Sequence, residues 1–278
     1  MKHMTLKAYM LLITVFCLVN KTKATDFDRP VGARGWGLAN ASVTLSDIWS
    51  VQNNQAGLGF LKQSQVGTYG ENRFKLSNLN FGAIAGAVKT KYGTFGLNMN
   101  YFGYSIYSEQ KFGFSYGRAF GEKFAFGFRM NYQLLAIREY GSMGTPTIEG
   151  GVLYKVNKQL ITGFHVSNPT MQKLDKTSTE RLPTIARIGI QYLPSEKVSL
   201  LAEVQKDMEL NPQVKVGAEY RIQSKLALRA GLSSNPFLNT FGLGYNYKNL
   251  QLDMAASVHP QLGISPHASL TFLFAKKN

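Results

Sequence analysis

Apolar and polar residues alternate with a period of two from residue 63 almost to the end of the chain. The pattern is cleanest over residues 111–138, which fold back once at Gly121-Glu122. On the second arm Phe124, Phe126, Phe128, Met130, Tyr132, Leu134 and Ala136 share one face, and Lys123, Ala125, Gly127, Arg129, Asn131 and Gln133 share the other. Successive side chains of a strand point to opposite faces, so one face meets an apolar medium and the other a polar or crowded space. The same period predicts strands over 63–72, 78–90, 92–105, 110–120, 123–138, 147–156, 159–166, 184–193, 197–205, 213–222, 225–232, 241–247, 250–258 and 268–274. That is about 14 strands, the even number that single-chain barrels of bacterial outer membranes require.

The joints separate a barrel from a soluble sandwich. Residues 89–93, Gly121-Glu122, Asn157-Lys158, 194–196, Gln223-Ser224 and Lys248-Asn249 make tight turns, and longer connections come after them at 141–146, 168–183, 206–212, 233–240 and 259–267. Short periplasmic turns and longer outer loops produce this alternation. The final strand carries Leu270, Phe272 and Phe274 in step and ends on the side of the short turns.

Export is written at the front of the chain. Residues 1–24 hold Lys2 and Lys7, an apolar run from Ala8 to Val19 and a small-residue exit at Ala24, the layout of a secretory signal peptide. The apolar run is too short to span a bilayer as a helix. Cys17, the one cysteine, lies inside it, so the mature chain is expected to have no disulfide and no thiolate chemistry. The net charge of +15 falls to about +11 when the four lysines of the leader are removed. The remaining Lys and Arg residues stand singly among strand positions, which suits turns, a lumen and anionic headgroups rather than nucleic acid. Outer-membrane lipid or lipopolysaccharide is the partner this placement implies.

Residues 25–62 differ in character from the strands. They are rich in glycine and small residues, with a strand-like piece at 41–45 and a one- or two-turn helix expected after Ser46 or Asp47. The order GARGWGLANASVTLSDIWSVQNNQAGLG resembles the N-terminal signature of PorV/PorQ-like outer-membrane barrels in the FadL-like superfamily. In that signature a glycine-rich segment precedes an acidic turn and an Asn-Pro-Ala-Gly-Leu box. Here the box is Asn54, Gln55, Ala56, Gly57 and Leu58, with Gln55 at the family's proline and Asp47 as the one acidic residue of the turn. The resemblance implies a non-enzymatic component or accessory of type IX secretion, with secretion-system proteins as partners. The charged outer connection bearing Lys173, Asp175, Lys176, Glu180 and Arg181 is the candidate contact surface. The alternative is a FadL-like passive transporter of hydrophobic small molecules, which needs an apolar conduit.

Together these features define an all-β protein: a transmembrane antiparallel β-barrel over residues 63–278, with residues 25–62 as a short N-terminal inner, plug-like segment. Asn98, Asn100, Arg129, Glu149, Lys155, Arg187, Glu203, Lys215, Glu219, Arg221, Arg229 and Asp253 are expected on the inner face. Mixed signs favour a network that fills and stiffens the lumen, because an unpaired buried charge is costly. Catalytic chemistry is thin. Gly113-Phe114-Ser115-Tyr116-Gly117 fits the G-x-S-x-G spacing, but it falls mid-strand, whereas a nucleophile elbow joins a strand to a helix. His165 is expected inward, and His259 and His267 are expected to flank an outer loop. No catalytic, metal-binding or cofactor-binding motif emerges.

Overall fold

The computed structural model describes residues 28–174 and 181–275, so the leader with Cys17 lies outside the described residues. The chain forms a closed antiparallel barrel in which every strand pairs with its sequence neighbours and the first pairs with the last. The strands are β1 (Gln65–Asn72), β2 (Asn80–Thr90), β3 (Gly93–Tyr104), β4 (Tyr107–Phe120), β5 (Phe124–Ile137), β6 (Gly141–Lys155) and β7 (Leu160–Ser167). They continue as β8 (Ile185–Ser195), β9 (Val198–Asp207), β10 (Gln213–Gln223), β11 (Leu226–Ser233), β12 (Leu238–Tyr247), β13 (Leu250–His259) and β14 (Gly263–Leu273). Closure leaves no sheet edge in hydrocarbon, the condition for strands to cross a bilayer.

The exterior is oily. Phe95, Leu97, Met99, Phe112, Phe114, Phe128, Met130, Leu200, Val216, Leu243 and Leu270 all face out and are exposed. The interior is polar: Asn98, Asn100, Arg129, Glu149, Arg187, Glu203, Lys215, Glu219, Arg229 and Asp253 are buried. This inversion of a soluble protein's surface belongs to an outer-membrane barrel. Arg221 departs from the expected burial, because it stands near the inner end of β10, where its side chain is 52% exposed.

Several expected loops are strand instead. β6 begins at Gly141, β12 at Leu238 and β14 at Gly263, so the connections before them shrink to residues 138–140, 234–237 and 260–262. The Gly, Ser, Thr and Pro residues of these stretches lie at the outer rim of the wall. Pro146 stands above the last β6–β7 pair, Glu149 with Ser167, where β6 is in effect an edge and tolerates a residue without an N–H. His267 accordingly sits within β14, paired opposite Glu71 of β1, rather than in an outer loop. The 17-residue connection 168–184 between β7 and β8 remains the longest.

Residues 28–62 run inside the barrel. No strand forms at 41–45; the segment is a chain of turns with single helical turns at Ala33–Trp36 and Ser50–Asn53 and a 3-10 stretch at Gln55–Phe60. Asp47 is not the cap of the second of these: its Oδ1 accepts from the backbone N–H of Trp49 at 3.0 Å, in the turn ahead of the helix. The helix proper starts later, at Ser50, with Trp49 as its N-cap and no side-chain cap.

Candidate functional site: the lumen and its inner segment

The box Asn54-Gln55-Ala56-Gly57-Leu58 is brought together deep in the lumen, every member buried. Asn54 is the joint. Its Oδ1 accepts from Ala56 N at 3.2 Å, opening the 3-10 stretch, while its Nδ2 donates to Val43 O at 2.7 Å and reaches the carbonyls of Val152 and Phe164 in the wall at 3.4 Å. Gln55 turns back on its own segment, its Nε2 donating to Gln52 O at 3.2 Å. Ala56 packs against Ala125 and Leu153, and Leu58 joins a larger cluster on the β1–β3 wall.

Close approach of two backbones makes that seat possible. Gly117, Gly127 and Gly151 lie side by side on β4, β5 and β6, each the register partner of the next. A methyl group on Gly127 would come within 2.6 Å of Ala56 N, and one on Gly117 within 2.7 Å of Leu58 Cβ. On the far wall Gly189, Gly217 and Gly231 receive Val43, Leu38 and Ala39 in the same way. Ser115 lies between the glycines of its G-x-S-x-G run, fully buried, with its hydroxyl donating to Val51 O at 2.8 Å. The run therefore holds the inner segment: Gly117 makes room for Leu58, and Gly113 for the Arg129 guanidinium.

Two polar networks and one apolar wall surround the segment. In the first network Glu149 receives Lys111 Nζ at 2.7 Å and lies 3.6 Å from both Arg129 and His165. Asp28 joins it through Lys111 at 3.2 Å and through Ser167, and Arg187 bonds His165 Nδ1 at 3.0 Å and the carbonyl of Asn53. His165 thus points inward as expected, and the neighbours the sequence did not place beside it are Glu149 and Arg187. In the second network Arg34 grips Glu219 with two hydrogen bonds, at 3.0 and 3.1 Å, and reaches Asp47 at 3.3 Å. Arg229 links the same Glu219 at 2.7 Å to Asp253 at 2.7 Å.

The third side is apolar. Tyr69 of β1, Phe81, Ala83, Ala85 and Ala87 of β2 and Phe102 of β3 face Val31, Trp36, Ile48, Trp49, Val51, Leu58 and Leu61 of the segment. Trp36 stacks on His267 of β14 with ring centroids 4.4 Å apart, and Arg29 lies over the other arm of this contact, 4.8 Å from the Trp36 ring and paired with Glu71. Near the outer mouth Leu135 and Leu182 are buried together against Tyr107, Ile137, Met143 and Leu174. At the inner end a cavity of about 1070 Å³ opens among the β6–β7, β8–β9, β10–β11 and β12–β13 turns, roofed by Arg34, Asp47, Ile48 and Trp49.

Sequence reasoning misses the glycine seats and the clasping residues Asp28, Arg29 and Arg34. A signal for the first is present, because a turn at residues 121–123 forces Gly117 opposite Gly127. Of the candidate partner loop, Lys173 and Arg181 form an isolated bridge across the mouth of the β7–β8 connection, and Asp175, Lys176 and Glu180 lie outside the described residues. Among the described residues no three of His, Cys, Asp or Glu converge on a metal-sized space.

A closed 14-strand barrel with an apolar coat and a chain segment folded within it is an outer-membrane barrel of the FadL-like fold. No protein-family model matches the chain, and no curated protein matches it. Solved structures do. The toluene transporter TbuX of Ralstonia pickettii aligns with a TM-score of 0.67 at 12% identity, covering 94% of this chain and 100% of that one. The toluene transporter TodX of Pseudomonas putida gives 0.67 at 10% identity over 90% and 98%, and a FadL homologue of Pseudomonas aeruginosa gives 0.61 at 13% over 88% and 98%. At such identities the likeness is one of fold.

Proposed function

We propose that the protein is a passive outer-membrane channel for small apolar molecules, with residues 28–62 as its internal plug. The observation that carries this reading is the apolar side of the lumen. An all-polar lumen would exclude a hydrocarbon, yet here Phe81, Phe102, Tyr69, Ala83, Ala85 and Ala87 make one wall apolar from the outer end towards the inner, with Trp49, Val51 and Leu58 of the plug packed on it. The apolar cluster around Leu135 and Leu182 offers a first contact at the mouth. Similar folds described as toluene transporters support the same substrate class. Such a channel performs no chemical step; transfer of an apolar solute out of water into apolar surroundings is itself favourable.

The test is uptake of labelled toluene by cells that express the protein in a host without a hydrocarbon channel of its own. Faster uptake than in the empty host is expected. Uptake no faster than the empty host, together with near-stoichiometric recovery of secretion-machine proteins from gently solubilised membranes, would replace this reading with the PorV/PorQ-like accessory role. That second reading draws on the Asn54–Leu58 box and on the long outer connection with Lys173 and Arg181.

A further inference from the structure

The plug is held by two different kinds of contact. Residues 48–61 sit on the β1–β6 wall through Ile48, Trp49, Val51, Ala56, Leu58 and Leu61, all buried and apolar. Residues 33–47 lie against β8–β13 through charge and hydrogen bonds: Arg34 to Glu219, Ala39 N to Thr240 Oγ1 at 3.0 Å, and Val43 N to Glu203 at 2.8 Å. Apolar contact accompanies them: Leu38, Ala41 and Leu45 pack against Leu201, and Ala33 and Trp36 join the large cluster, with Trp36 stacked on His267 of β14. Beneath this second stretch lies the inner-end cavity of about 1070 Å³, and Arg34 and Asp47 are both its roof and the segment's share of the ion-pair chain.

We infer that the chain Asp47–Arg34–Glu219–Arg229–Asp253 is a latch, and that residues 33–47 are the flap it holds closed over the inner chamber. Placement supports this role. Three arginines, Arg34, Arg221 and Arg229, meet Glu219, while Asp47 and Asp253 terminate the chain, so three cations balance three anions. Two of the six belong to the segment and four to the barrel, and of the five pairs Arg34–Glu219 is the one that crosses from flap to wall, so that pair is the closing contact of the latch. The network also differs from the one around Glu149. There Lys111, Arg129 and Glu149 are sealed, with side chains 0–2% exposed, and the segment's Asp28 reaches 18%; here Glu219 and Arg229 are sealed too, at 2% and 5%, and Arg34 and Asp47, at 19% and 17%, line the chamber. Ion pairs in contact with water exchange partners at lower cost than sealed ones. Swinging this stretch away would join the chamber to the lumen above while residues 48–61 stayed on their apolar seat.

The latch is tested by ion conductance, which does not depend on what the channel carries, so a failure of hydrocarbon uptake leaves this inference standing and the converse also holds. The full-length mature barrel is placed in planar bilayers as the parent, as Glu219→Gln and as Arg34→Ala, with unheated-gel mobility verifying barrel closure. Either variant breaks the Arg34–Glu219 pair, and a rise of about tenfold or more in time-averaged potassium conductance is expected. If Glu219→Gln fails to close as a barrel, Arg34→Ala decides, because it alters only the flap. An Ala39→Cys/Thr240→Cys pair added to the conducting variant should return conductance to the parent level when oxidised and release it on reduction. Folded variants that conduct like the parent, or a cross-link that leaves their conductance unchanged, would overturn the latch.

Discussion

The two walls of the lumen hold the same segment with different balances of apolar and polar contact. On the β1–β6 side the segment's Trp49, Val51, Ala56 and Leu58 lie on alanines, glycines and aromatic rings, and the contact gains from removal of apolar surface from water. On the β8–β13 side the segment's Arg34, Val43 N and Ala39 N address Glu219, Glu203 and Thr240, contacts that are directional and of which the Arg34–Glu219 pair borders the chamber. An apolar seat resists any solvent that leaves hydration intact, whereas a charged one yields to a competing ion or a lost partner. One segment can therefore be anchored at one end of its length and releasable at the other.

The largest expected effect attacks the anchored half. Leu58→Ala removes a fully buried side chain from a seat that cannot collapse around the gap, and should lower stability by about 2–5 kcal/mol in denaturant unfolding from detergent micelles. A cost below about 0.5 kcal/mol would mean that the apolar wall is not what fixes the segment. Next comes the opposite face of the same wall. Phe128 is exposed toward lipid, and Phe128→Arg should cost about 2–4 kcal/mol if it lies near the midplane. Its neighbour Gly127 faces inward beneath Ala56, so Gly127→Ala should cost about 1–3 kcal/mol through overpacking. A neutral Gly127→Ala with a normal Phe128→Arg would show that the segment stands further off the wall than the geometry places it.

How much of this is legible in the chain depends on the range of the cause. The strand period, the strand number and the facing of Phe124 through Ala136 are set by neighbours two residues apart, and they can be read directly. The inward charges are legible for the same reason, but their partners are not. Arg34 and Glu219 are 185 residues apart, and nothing local says which of the lumen's acids an arginine of the segment will meet. Apolar lining is hidden by a different effect: Ala83, Ala85 and Ala87 are too small to register as an oily stripe until Trp49 and Val51 are laid over them. Rim strands such as the start of β6 look like loops in the sequence because, above the hydrocarbon, neither face needs to be apolar. The box from Asn54 to Leu58 stands out by resemblance, and its roles in the lumen, Asn54 as joint and Leu58 as anchor, come from packing alone.

The smallest effect is the one that separates the two halves without changing a residue. Raising the salt from roughly 0.05 M to 1 M shortens the screening length to about 3 Å, which weakens water-accessible ion pairs and leaves dry apolar contacts intact. Arg34 and Asp47 meet the chamber water, so hydrogen exchange of amides in residues 33–47, including Ala39 and Val43, should quicken by about threefold, as expected for pairs worth less than ~1 kcal/mol. Amides of residues 50–61, held beneath Val51 and Leu58, should exchange at an unchanged rate. Equal acceleration of both stretches would mean that the segment opens as one body, and the division between a fixed seat and a releasable flap would then be wrong.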